Sequence, residues 1–155
     1  MYAGAFPVQA AQDQHHLFYW LFKNTSLPAT VPLVLWINGG PGSTSMFGLW
    51  LENGPLRVRQ TGPGNDKFDV HLNSAGSWND IADVMYIDQP AGTGFSYYDK
   101  QPTQNNQDAA TEVVQLLTQL LQKFPEYNQR QFIISGESYA GKYIPTIART
   151  VQLWA

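Results

Sequence analysis

Cysteine is absent from the 155 residues, which excludes a disulfide framework and a thiolate metal site. Charge is nearly as scarce. Asp, Glu, Lys and Arg make up 14% of the chain, against roughly a quarter in ordinary soluble domains. So few charges cover a surface poorly, and we expect part of it to be covered by more protein. The nine Lys and Arg residues form no basic run and the net charge is −3, which argues against nucleic acid as a partner. No apolar stretch approaches the ~20 residues of a membrane span. The N-terminus lacks the charged-then-apolar pattern of a leader, so we expect a mature form or a leader outside this sequence. The three histidines, His15, His16 and His71, are not spaced with carboxylates as a metal site requires; neither metal nor cofactor is expected.

Aromatic residues, by contrast, are abundant: 5 Trp, 8 Tyr and 8 Phe. The length suits one domain. Asn24-Thr25-Ser26 is a glycosylation acceptor sequence in a polar turn, which hints at a secretory compartment.

Tyr2–Val8 and His16–Phe22 read as a strand pair joined by the polar turn Gln9–Gln14. After a turn at Lys23–Thr30, the continuous apolar run Pro32–Ile37 has the pattern of a strand buried on both faces. It stops at Asn38-Gly39-Gly40-Pro41-Gly42-Ser43, whose bare backbone can present N–H groups to an anion or oxyanion, or can serve only as a tight turn. Ser43–Leu51 predicts a short helix and Arg59–Gly76 a surface loop. Strand Val84–Ile87 runs into the loop Asp88–Gly94. Asp108–Phe124 carries one apolar stripe at positions 110, 113, 114, 117, 120, 121 and 124, and Pro125 stops it. Phe132-Ile133-Ile134 predicts a last buried strand and Tyr143–Leu153 a last helix. The order is that of an α/β fold with a largely parallel sheet and loops gathered at the strands' carboxyl ends.

Between that last strand and helix stands Gly136-Glu137-Ser138-Tyr139-Ala140-Gly141. A serine flanked two residues away by small residues, between strand and helix, matches a nucleophile elbow. The small residues are needed because the strained serine backbone leaves no room for larger neighbours. Gly136-x-x-x-x-Gly141-Lys142 also matches a phosphate-binding loop up to its last position, where Tyr143 replaces the short hydroxyl that would hold magnesium. In that alternative Asp88 would imitate the metal-binding acid.

Five runs in register resemble the serine carboxypeptidase family, acid-active peptidases of the α/β-hydrolase fold: Trp36–Gly42, Glu52–Pro55, Ser77–Asn79, Asp88–Tyr97 and Gly136–Tyr143. They span nearly the whole chain, as the N-terminal portion of a single hydrolase domain over residues 1–155. A W-x-N-G-G-P-G run has no role in a nucleotide-binding loop, so the resemblance favours the hydrolase. It implies an exopeptidase that takes a peptide with a free C-terminus, acts through an acyl-enzyme, and lives in a lysosome or vacuole or is secreted, as a glycoprotein. Ser138 would be the nucleophile, and the Gly40 and Tyr139 amides the oxyanion hole. Asn38, Glu52 and Glu137, with the Gly39 amide, would grip the substrate's terminal carboxylate. Carboxyl groups can do so only when protonated, hence at acid pH and with raised pKa values. Tyr139, Phe47 and Leu51 would line side-chain pockets.

Family members carry the triad Asp and His far downstream of the serine. Only 17 residues follow Ser138, and none is His or Asp. A serine without its base is a poor nucleophile, so this chain alone is expected to be nearly inert and to need a complementary chain carrying the rest of the fold. That remainder would also pair with an otherwise open apolar edge at strand 132–135. Ser43 stands where many members have a cysteine. The same 155 residues are compatible with an acyltransferase of the same family, or with a non-catalytic interaction piece of a larger assembly.

Overall fold

A computed structural model describes residues 1–10, 13–64 and 67–154. Residues 11 and 12 of the expected turn Gln9–Gln14, and 65 and 66 of the expected loop Arg59–Gly76, lie outside the described residues.

Strands β1 (Tyr2–Ala10) and β2 (Asp13–Phe22) form an antiparallel hairpin, Tyr2 facing Leu21 and Ala10 facing Asp13. Their hydrogen bonding extends past the sequence-predicted ends at Val8 and His16. β3 (Leu33–Ile37) and β6 (Asp83–Ile87) are buried at all five positions each, as continuous apolar runs require. The sheet order is β1-β2-β6-β3-β8, with β8 at Phe132–Gly136 and the two-residue β7 (Tyr97–Tyr98) beside β2. β6, β3 and β8 are mutually parallel; β2 meets β6 antiparallel.

Alternation along the strands splits the core. Leu17, Tyr19, Leu21, Leu33, Leu35, Ile37, Met85 and Ile87 face helices α1 (Asn106–Lys123) and α2 (Ala140–Trp154). On the other face Phe22, Val34, Trp36, Val84 and Tyr86 pack with Met46 and Leu49. The stripe expected on α1 is buried at Ala110, Val113, Val114, Leu117 and Leu120. Its N-terminus is capped by the Asn105 side chain, which accepts from the Gln107 and Asp108 amides, satisfying two donors that the first turn leaves open.

Three expectations are corrected. The expected loop Arg59–Gly76 contains strand β5 (Phe68–Leu72), which pairs antiparallel with β4 (Leu56–Gln60). His71 thus lies on a strand, opposite Arg57. The hairpin is largely exposed, so its alternation Phe68, Val70, Leu72 lacked the buried-face context that marks a strand. The short helix expected over Ser43–Leu51 covers 46–52 instead and widens over Gly48–Glu52, closed by the Asn53 amide on the Gly48 carbonyl. Helix α2 starts at Ala140, directly behind the elbow, and carries Pro145 within it.

Strand β8 pairs with β3 on one side only. Phe132 and Ile133 on this edge are 39% and 36% exposed, and an apolar groove lined by Val114, Leu117, Leu121, Phe132 and Val151 runs beside it. In the turn after β2, Asn24 Nδ2 donates to the Asn79 carbonyl and Asn24 Oδ1 accepts from the Ser26 amide. Among the described residues no helix is long and apolar enough to cross a membrane, and no cluster of three His, Cys, Asp or Glu could hold a metal.

Candidate active site

Parallel pairing of β3 and β8 places Ile37 opposite Gly136, so Asn38 and Glu137 leave the sheet side by side. Ser138 has φ 56°, and it is the one non-glycine residue with positive φ among the described residues. Such a conformation costs of order 1–3 kcal/mol and persists only where its surroundings enforce it. The enforcement is visible. A Cβ at Gly136 would stand 2.2 Å from the Ile37 carbonyl oxygen and 2.8 Å from the Ala140 Cβ, so the small residues before and after the serine are sterically required. Helix α2 begins two residues past Ser138.

The glycine loop meets this corner. A Cβ at Gly39 would lie 2.6 Å from the Tyr139 nitrogen and 2.8 Å from both the Glu137 oxygen and the Ser138 Cβ. Only a residue without a side chain allows the backbones to touch so closely. Gly40, at φ 104°, turns the loop back, and the Ser43 amide closes it on the Gly39 carbonyl. The main chains of 39 and 137–139, separated by about a hundred residues, thus lie against each other.

Asn38 organises the neighbouring cluster. Its Oδ1 accepts from Trp36 Nε1 at 2.8 Å and the Gly48 amide at 3.1 Å. With that oxygen doubly occupied, the Nδ2 group must face the other way, and it donates to Glu137 Oε1 at 3.2 Å and Glu52 Oε1 at 3.4 Å. Burial first, and then the Glu137 charge, push the Glu52 carboxyl above its ordinary range, against the lowering effect of the Asn38 bond.

Asp88 is fully buried and ties the loops together. It accepts from Thr44 Oγ1 at 2.6 Å and from the Ser45 and Phe95 amides at 2.9 Å each. Ser45 Oγ in turn accepts from the Asn38 amide at 3.1 Å. Burial drives the Asp88 carboxyl upward, and its three hydrogen bonds oppose this. The carboxylate is spent on protein donors, which corrects its alternative reading as a metal-binding acid. Sequence reasoning missed this brace, as it missed Ser45 and the Trp36 indole; their one signal was position beside the glycine loop.

All the expected site residues, Asn38, Gly39, Gly40, Glu52, Glu137, Ser138 and Tyr139, therefore come from loops at one end of the sheet. Phe47 and Leu51 are exposed on the turn that carries Glu52. The histidines are engaged elsewhere: His15 Nδ1 lies 2.8 Å from buried Glu112 Oε1, the His16 ring stacks on Tyr97, and His71 is on β5.

Comparison with known proteins agrees with this geometry. A family model described as serine carboxypeptidase matches residues 1–153. Carboxypeptidase Y homolog A of Ajellomyces capsulatus is 43% identical over 141 residues, 91% of this chain and 24% of that protein. The pheromone-processing carboxypeptidase KEX1 of Ogataea parapolymorpha is 44% identical over 148 residues, 90% of this chain and 23% of that protein. The crystal structure of KEX1(delta)P, a prohormone-processing carboxypeptidase from Saccharomyces cerevisiae, superimposes with a TM-score of 0.80 at 32% identity, covering 97% of this chain and 33% of that one. A peroxisomal α/β-hydrolase of the same yeast, Lpx1, shares the fold at TM-score 0.55 and 14% identity. The chain spans about a quarter of the length of the curated relatives it matches. Its mixed sheet is that of an α/β hydrolase, and the chain belongs to the serine carboxypeptidase family.

Proposed function

We propose that this chain is the N-terminal portion of a single hydrolase domain that removes C-terminal residues from peptides through an acyl-enzyme. The observation that carries the reading is the contact between the Ser138 corner and the Gly39 main chain of the glycine loop. In the proposed step Ser138 Oγ attacks the scissile carbonyl carbon as its proton passes to a histidine. The Gly40 and Tyr139 amides receive the oxyanion, and the C-terminal residue leaves with the proton. Water then hydrolyses the ester and frees Ser138. The histidine and its aspartate come from the complementary part of the fold, since no His or Asp follows Ser138 in this sequence. That part would also pair with the open edge of β8 and cover the groove beside it. Acid chemistry and the Asn24 acceptor sequence favour a lysosomal, vacuolar or extracellular glycoprotein.

Asn38, Glu52, Glu137 and the Gly39 amide bind the substrate carboxylate, and Tyr139, Phe47 and Leu51 flank the side chains. Glu52 holds its proton above the ordinary glutamate value of about 4.3, and a protonated Glu52 donates to the substrate carboxylate. Binding is complete below the ordinary value and is lost as pH rises through the raised one, where the Glu52 carboxylate faces that of the substrate. Mass spectrometry of a peptide incubated with the assembled enzyme tests this. Stepwise loss of C-terminal residues, with KM rising from acid to neutral pH and no such rise for the C-terminal amide, is expected. Internal cleavage, or equal pH dependence for acid and amide, contradicts it.

A further inference from the structure

The turn that carries Glu52 ends in an unusual concentration of main-chain acceptors. The carbonyls of residues 52 to 56 are five in succession, and each is taken. The Trp78 amide bonds Asn53 O at 3.0 Å, and the Asn73 amide bonds Pro55 O at 2.8 Å. Asn73 Nδ2 bonds Gly54 O at 3.1 Å. Arg57 takes the rest: its Nη1 donates to Gly54 O at 3.1 Å and Leu56 O at 2.9 Å, and its Nη2 donates to Glu52 O. The side chain is half-buried, and among the described residues no carboxylate pairs with it.

We propose that Arg57 is a positioning residue for recognition of the substrate carboxylate: its guanidinium, folded back over the end of the wide turn, fixes Glu52 where its carboxyl shares the Asn38 amide with Glu137. The inference rests on the carboxypeptidase reading. The last closure of the wide turn is Asn53 N to Gly48 O, and such turns recur at functional sites. Beyond it the carbonyls at the end of the turn have no donor within the turn itself. The planar fork of a guanidinium can hold three carbonyls lying in different directions, whereas the point charge of a lysine cannot. The positive charge sits at the carbonyl end of the turn, where it is favourable, and its donors stay off the Glu52 carboxyl. Glu52 therefore gains a fixed position without gaining a counter-ion, which leaves it free to protonate and donate to an incoming carboxylate. The opposite strand contributes His71 across from Arg57, and the Tyr86 phenol on β6 donates to Asn53 Oδ1 at 2.8 Å, bracing the turn from beneath.

The test is made in the assembled enzyme, this chain with the part that supplies Asp and His. Arg57→Gln, Arg57→Lys and Glu52→Ala are compared on a peptide acid and its C-terminal amide, with the rate of fluorophosphonate labelling at Ser138 as a readout independent of the carboxylate. Displacing a binding group by about 1 Å costs up to about a hundredfold. Both Arg57 variants are expected to raise KM for the acid at least about tenfold, with kcat, amide hydrolysis and labelling within about threefold of the parent. Unchanged KM for the acid in Arg57→Gln, with Glu52→Ala impaired, overturns the inference and leaves the carboxypeptidase reading standing. Parallel loss of labelling and of both substrates also overturns it, because Arg57 then only supports the fold. Absence of any acid preference in the parent overturns both readings.

Discussion

Alanine at position 39 is expected to lower kcat of the assembled enzyme by about a hundredfold to a thousandfold, the effect of losing one oxyanion donor. The added methyl would stand 2.6 Å from the Tyr139 nitrogen and 2.8 Å from the Ser138 Cβ. All the offending atoms are main chain or the first carbon of a side chain, so no rotamer change relieves the collision. The two loops must part, and the amides of 40 and 139 proposed as the oxyanion hole then separate. Because the loops move while the strands stay, thermal unfolding should shift far less than kcat. Single-turnover kinetics on Gly39→Ala measures the loss; a change under about threefold would show that the loop contact has no part in the chemistry.

Asp83→Ala is expected to destabilise the fold by about 3–5 kcal/mol, the usual result of orphaning a buried ion-pair partner. Asp83 Oδ2 accepts from Arg130 Nη1 at 2.8 Å and Tyr127 Oη at 2.9 Å, and Oδ1 accepts from the Asn24 amide at 2.9 Å. Arg130 and Asp83 side chains are 8% and 3% exposed, so the guanidinium left behind has little access to water. The pair stands at the start of β6, the strand whose far end carries Asp88, and it anchors the segment before β8 to the sheet. Asp83→Asn, which keeps the acceptor oxygen, should lose less. Urea unfolding of the assembled protein decides: a loss under about 1 kcal/mol for the alanine variant would contradict a net role for the pair.

The parts of this molecule that sequence makes legible are those where one physical requirement acts on consecutive residues. Double-sided burial writes itself as LVLWI and DVMYI, and helical burial as the stripe of α1. Close backbone approach writes itself as the glycines at 39 and 136. The site residues could be named because their motif carries them together, and the parallel register of Ile37 with Gly136 explains why residues a hundred apart meet. Asp88, Ser45 and Arg57 were not legible as braces. Each acts through hydrogen bonds to main-chain groups, and these leave no periodicity. The β4–β5 hairpin was missed for a related reason. Its side chains face solvent, so its apolar alternation sits among Gly, Asn and Asp that ordinarily mark a loop.

The most direct test of the whole account is covalent labelling of Ser138. The chain is treated with a fluorophosphonate alone and with the complementary part of its domain, and the labelled peptide is identified by mass spectrometry. The account predicts near-stoichiometric phosphonylation at Ser138 in the assembled protein, little in the chain alone, and none after Ser138→Ala. An assembled, folded protein that takes no label, or takes it at another residue, would contradict it.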